Sequence, residues 1–247
     1  MSDELTHIEA AERSAGPIHD LAANFMLDAQ TYIDAASAGY EGMAFYFAGR
    51  GGVLGDVPHA EVTEAFVFFP PESVQAGWEA SADVESRAEA AQRFATSAHR
   101  WAGEHMATEG IDYDRLSELA GRVIDAADGS DAAVFDGWRS LPEPDGDREL
   151  ALHRINALRE LRHARHGAAV ADAGIAPVDA FMVKTPYMAA VFGWPEPDSP
   201  PDDEMRAAWE AAEAATNERF GVDLAVLDAD ELAEFCELVA QAHTAAG

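Results

Sequence analysis

From Val84 to Ala102 a stripe of small apolar residues recurs at helical spacing. Val84, Ala88, Ala91, Ala95, Ala98 and Ala102 fall at i, i+4, i+7, i+11, i+14 and i+18, one continuous helix face. Phe94 and Trp101 flank the face, and Glu85, Glu89, Arg93 and Arg100 lie off it. So many small side chains on one face let neighbouring helices approach closely, in the same chain or in a second copy. The spacing predicts a helix over 83–106 and makes this segment a centre around which a helical bundle would pack.

The same period runs through the rest of the chain. Helices are predicted over 18–36, 60–69, 72–80, 113–127, 147–173, 177–192, 203–219 and 229–243, with one short strand at 222–227. Pro71 suits the first position of its helix, and Asp228 with Glu231 makes a capping-box pattern. Residues 193–203 hold four prolines and read as a linker. The expected architecture is all-α: a multi-helix orthogonal bundle at 1–193 with a small C-terminal helical appendage, resembling a degenerate winged helix, at 203–247.

Charge constrains the setting. Asp and Glu total 46 against 16 Lys and Arg, a formal −30, and Lys184 is the one lysine. A disordered acidic chain would be poor in aromatics, whereas this one has 5 Trp, 5 Tyr and 12 Phe. The acid therefore belongs to a folded surface, which would repel itself at low ionic strength. In molar salt the screening length is about 3 Å, so a salt-loaded, halophilic cytoplasm is the expected environment. The acidic N-terminal stretch does not resemble a signal peptide. No apolar run approaches the ~20 residues of a membrane span. The single Cys236 excludes an internal disulfide and a cysteine-based zinc site.

Two constellations could carry chemistry. Seven aromatics crowd residues 40–70, and Tyr46 and Arg50 stand four residues apart, on one helix face. Phe66 and Phe69 would add walls, as in apolar ligand pockets with a few convergent polar groups. Arg50 could fork onto a carboxylate or phosphate, or simply close a helix C-terminus. The glycines that follow fit neither nucleotide-binding spacing.

The second constellation is the helix over 147–173. His153, Asn156, Glu160 and His163 fall within an arc of about 80°. They could form a metal site, for which His163 and Glu160 are the candidate ligands, or a solvated face. The apolar stripe of Ile155 and Leu158 continues as Arg162 and Arg165. Two guanidiniums on a core direction call for anionic partners, either on a neighbouring helix or on a ligand. His19 is placed near a helix start, where an imidazole could serve as acid, base or ligand. His99, Glu104 and His105 read as surface.

Residues 16–80 resemble a family of actinobacterial and haloarchaeal helical proteins carried under a helix-turn-helix label. The similar stretch runs from Gly16-Pro17-Ile18-His19 through Tyr46-Phe47-Ala48-Gly49-Arg50-Gly51-Gly52 to Phe66-Val67-Phe68-Phe69-Pro70 and Trp78. Residues 158–166 and 171–175 resemble a later block, and about half the chain is covered in all. The label implies a winged-helix DNA-binding portion toward the C-terminus. The sequence departs from it there, because beyond Lys184 two Arg face 14 Asp and Glu. Binding of duplex DNA through that region is therefore not expected.

The function expected is binding of a small, partly apolar ligand, in the manner of a sensor or regulator, by His19, Tyr46, Arg50, Phe66, Phe69 and Arg162. The alternative is an enzyme that uses His19 or His163 in the same pocket. A homodimer through the alanine face is compatible with either. The pattern specifies no cofactor.

Overall fold

The computed structural model describes residues 5–197 and 199–246. Asp3 and Glu4 of the acidic N-terminal stretch lie outside the described residues. Thirteen α-helices follow in order among the described residues: α1 (His7–Leu27), α2 (Ala29–Ala38), α3 (Ala44–Gly51), α4 (His59–Phe66), α5 (Pro71–Ala80), α6 (Arg87–His105), α7 (Tyr113–Ala126), α8 (Ala133–Trp138), α9 (Asp147–Asp172), α10 (Pro177–Lys184), α11 (Ala189–Phe192), α12 (Asp203–Leu224) and α13 (Ala229–Ala246). The architecture is an all-α multi-helix bundle. The helix α9 runs through its middle, packed against α1, α6, α7, α8 and α12.

The alanine-rich helix α6 starts at Arg87 rather than at residue 83. Ser86 caps it, accepting from the Glu89 amide while the Glu89 carboxylate accepts from the Ser86 amide, and this leaves Val84 outside. Its buried face is Ala90, Ala91, Phe94, Ala95, Ala98, Trp101 and Ala102. It packs against α3 and α9, so most of the stripe is buried within the chain, and Ala88 alone of its alanines is exposed.

The glycines after Phe47 are explained by this packing. A Cβ on Gly49 would stand 2.7 Å from the Phe94 side chain, and one on Gly52 would stand 2.2 Å from the Arg87 carbonyl oxygen. They admit α6 to the end of α3 instead of cradling a phosphate.

Other expectations change as well: the helix expected over 18–36 breaks at Asp28 between α1 and α2, and the one expected over 60–69 ends at Phe66. Pro17 sits inside α1, which begins at His7 under a Thr6–Glu9 capping box; His19 is therefore mid-helix. Pro186 breaks the helix expected over 177–192, leaving α10, a short 3-10 turn and α11. The 222–227 segment is no strand: α12 continues to Leu224 and a turn follows.

The linker at 193–203 divides the sequence, yet the core crosses it. Phe220, Leu224, Leu232, Phe235 and Val239 belong to one buried cluster with Ala10, Phe25 and Leu158. The helix α12 packs on α1 and α9, and α13 packs on α1 and α7. An amphipathic helix pair next to an unfilled face of α1 buries its apolar side there rather than standing apart.

Candidate ligand site

The stripe on α9 faces inward, not to solvent. His153 is 2%, Asn156 0% and Glu160 1% exposed, and each meets a different neighbour. Glu160 receives Arg50 from α3 in a two-pronged pair: Nε donates to Oε1 at 2.9 Å and Nη2 to Oε2 at 2.7 Å. Both side chains are sealed from solvent. Arg50 also donates to the Tyr46 hydroxyl at 3.3 Å and lies 4.2 Å from the centre of the Phe66 ring. Tyr46 and Phe66 both pack against Phe69. Burial pushes the Glu160 carboxyl up, but the guanidiniums of Arg50 and Arg159 more than reverse this and hold it well below the usual carboxylate range.

Arg159 adds a second guanidinium to the same carboxylate. Its Nη1 donates to Glu160 Oε1 at 2.7 Å, its side chain is 12% exposed, and its buried Nε has no partner. One turn on, His163 Nε2 meets the Ala65 carbonyl at 3.3 Å. Burial and the field of Arg50 keep this imidazole well below its ordinary pKa, against the pull of Glu160; it is neutral at pH 7.

Arg162 donates to Glu213 at 2.9 Å and to Asn217 at 3.1 Å, and Arg165 forks onto Asp223 at 2.9 and 3.0 Å. The anionic partners that the arginine stripe called for thus come from α12, joined at Arg165 by Asp131 from the segment between α7 and α8. His166 Nδ1 stands 3.0 Å from the Thr216 hydroxyl and 3.2 Å from Glu213. The carboxylate favours its protonation, but burial outweighs it and the pKa is lowered.

At the edge of this network the backbone is strained. Val67 has φ 54° and ψ −61°, a region that β-branched residues avoid. The Phe68 amide closes a γ-turn onto the Phe66 carbonyl at 2.6 Å. Such a conformation costs on the order of 1–3 kcal/mol and survives where surrounding contacts impose it. Here it turns Phe68 onto the rings of His163 and His166, at 5.5 and 5.2 Å. Phe68 remains partly open to solvent.

His19 faces the network from α1. It is exposed yet hemmed in: crowding lowers its pKa first, then the positive fields of Arg159, Arg162 and Lys184, with Glu160 opposing. Lys184 closes the rim, its ammonium 5.5 Å from the Trp209 ring centre.

The structure therefore gathers Tyr46, Arg50, Phe66, Phe69, Glu160 and His163 into one contact network, with His19 and Arg162 at its border. It also alters two roles. Arg50 is bound by Glu160 and is not free to fork onto a ligand. Glu160 gives both oxygens to guanidiniums, and among the described residues no three His, Cys, Asp or Glu side chains close on one point to hold a metal.

Sequence reasoning passed over Arg159, Phe68, Lys184 and His166. The concentration of arginines on α9 and the uniqueness of Lys184 were the available signals; the strain at Val67 left none. It also placed His99 on the surface, whereas His99 Nε2 lies 3.1 Å from the buried His153 Nδ1.

Fold and site together define an all-helical protein built around a buried, over-guanidinated carboxylate. A family model described as a helix-turn-helix family matches residues 9–198, well over half the chain, and the chain belongs to that family. Neither a curated protein nor a solved structure matches it. The match stops short of α12 and α13. Among the described residues no helix is long and apolar enough to cross a membrane.

Proposed function

We propose that this protein binds a small, partly apolar molecule at the outer edge of the Arg50–Glu160 network and acts as a ligand sensor in a salt-loaded cytoplasm. The observation that carries this reading is the network itself. Replacing a buried ion pair with well-packed apolar residues is often neutral or stabilising, so its stability alone does not account for its presence. A carboxylate locked between Arg50 and Arg159, edged by a strained turn that sets Phe68 over two neutral histidines, is the pre-organisation expected of a binding site. The ligand rests on the part-exposed Phe68, with Tyr46 behind it in the network, and entry is past His19 and Lys184.

The family label favours a second reading, DNA binding. Arg154, Arg162 and Arg165 of the cation-rich α9 are each paired with a carboxylate from another part of the chain, and Arg159, which shares Glu160 with Arg50, is only 12% exposed and cannot lie against a duplex backbone. Phosphate contacts need free cations, so ligand binding is preferred.

Saturation-transfer NMR tests the reading in 2 M KCl with octanoate and octanamide as probes. At least one probe should receive saturation from the protein. Phe68→Ala should abolish the effect without changing the helical circular dichroism. No transfer to either probe, or undiminished transfer in the variant, defeats the reading.

A further inference from the structure

The charges around the site do not balance. Glu160 is shared by Arg50 and Arg159. Glu213 is committed to Arg162, with His166 beside it. Lys184 has no carboxylate partner among the described residues, only the ring of Trp209. One guanidinium and one ammonium are thus left over near His19, on which both act, in a chain that carries −30 overall. Arg159 is the more telling of the two, because it is largely buried and its Nε donates to nothing. A buried donor without an acceptor has given up its bond to water and gained nothing for it, at a cost that is larger when the donor is charged.

We infer that the ligand is an anion, and that Arg159 receives its carboxylate or phosphate group while Lys184 attracts it from the rim and Phe68 carries its apolar part. This rests on the ligand-binding reading above and sharpens it. With Nη1 taken by Glu160, the Arg159 Nε and Nη2 are left without partners, the pair of parallel donors that a two-oxygen anion accepts, and because Nε is covered the anion reaches it only as the packing over it opens. Arg50 fixes the Glu160 carboxylate, and the carboxylate holds Arg159 by its Nη1, so the receiving group is pre-set and loses little freedom on binding. His19, His163 and His166 stand among the same arginines, and burial lowers the pKa of each.

Isothermal titration in 2 M KCl decides the point with octanoate, octyl phosphate and octanamide, which share a chain and differ in headgroup. Octanoate or octyl phosphate should bind at least tenfold more tightly than octanamide, and the tighter of the two identifies the anion. Arg159→Gln should remove at least tenfold of that affinity and leave octanamide unchanged. If Arg159→Gln does not fold, Lys184→Gln, on the exposed rim, should weaken the anionic probe about threefold. Equal affinity for octanamide and the anions, or an unaffected variant, overturns the anion inference while leaving ligand binding intact. Absence of binding by all three probes overturns both.

Discussion

Glu160→Gln removes one negative charge and little volume from the centre of the molecule. In the native protein both carboxylate oxygens are occupied, by three hydrogen bonds from Arg50 and Arg159 of 2.7–2.9 Å, with no solvent at either side chain of the Arg50–Glu160 pair. A glutamine can keep one acceptor, but its amide nitrogen presents a donor to a donor, and two guanidiniums lose their counter-charge. Breaking a buried pair by removing one partner costs about 3–5 kcal/mol. At about 2–4 °C per kcal/mol for a chain of this size, the melting temperature should fall by roughly 6–20 °C. The assay is thermal unfolding followed by circular dichroism in 2 M KCl. The double variant Arg50→Met/Glu160→Leu should recover most of the loss, because apolar side chains of similar size need no counter-charge, while Arg159 reaches the surface and can turn to water. The recovered protein should nevertheless bind octanoate poorly, since nothing then orients Arg159. Glu160→Gln within 1 kcal/mol of the native protein would refute the burial argument. A double variant no better than the single one would refute the charge argument.

The remaining expectations concern salt and acid. With −30 formal charge and one lysine, the protein should melt cooperatively in 2 M KCl and lose helix as salt falls toward millimolar; equal circular-dichroism melts at 50 mM and 2 M would contradict this. Burial, then the neighbouring His99, lowers the His153 pKa to about 4 from an ordinary 6.5. The unfolded chain therefore takes up a proton that the folded one refuses as pH drops from about 6.5 to about 4. Stability is lost across that window, by about 3 kcal/mol from this group. The pH dependence of the urea midpoint should flatten in His153→Gln, and an unchanged slope would show that the histidine is not held neutral.

Much of the fold was legible because its signals are local. The apolar period of α6, the capping box at Asp228, and the breakers after Asp172 and Phe192 act within a turn or two of themselves, whereas the Ser86 cap that starts α6 was not read from the sequence. What the sequence concealed depends on what a face meets. The stripe of His153, Asn156, Glu160 and His163 is polar enough to read as solvated, yet it is buried because Arg50, fixed at the end of α3 by close glycine packing, arrives to neutralise Glu160. Arg50 looked free for the same reason: its partner lies 110 positions away. Pro17 reads as a helix start by local rules, but α1 runs through it, with the Thr6–Glu9 box supplying the true beginning. The strain at Val67 has no local cause. A Cβ at Gly167 would stand 2.9 Å from the Val67 side chain, so the turn is held against α9 by an approach that no neighbouring residue announces.

The helix-turn-helix membership makes DNA the sharpest remaining question, and the packing changes how it must be asked. Deleting α12 and α13 is not a clean test. Glu213 and Asn217 hold Arg162, and Asp223 holds Arg165, so the deletion would strand two part-buried guanidiniums and expose the core that Phe220, Leu224 and Phe235 complete. Any loss of DNA binding would then report unfolding. Surface variants avoid this. Beyond Lys184 the cations are Arg206 and Arg219, and Arg219 already pairs with Asp172 at 2.5 Å. Duplex binding by this region needs them, because phosphate contacts supply most non-specific affinity and base-edge contacts need donors or acceptors at the surface. The expectation is no sequence-specific footprint in 2 M KCl and no retention of duplex by filter binding at 0.5 M KCl. A footprint at molar salt that Arg206→Gln/Arg219→Gln abolishes, with the melt unchanged, would refute it and make the C-terminal helices a DNA-reading element.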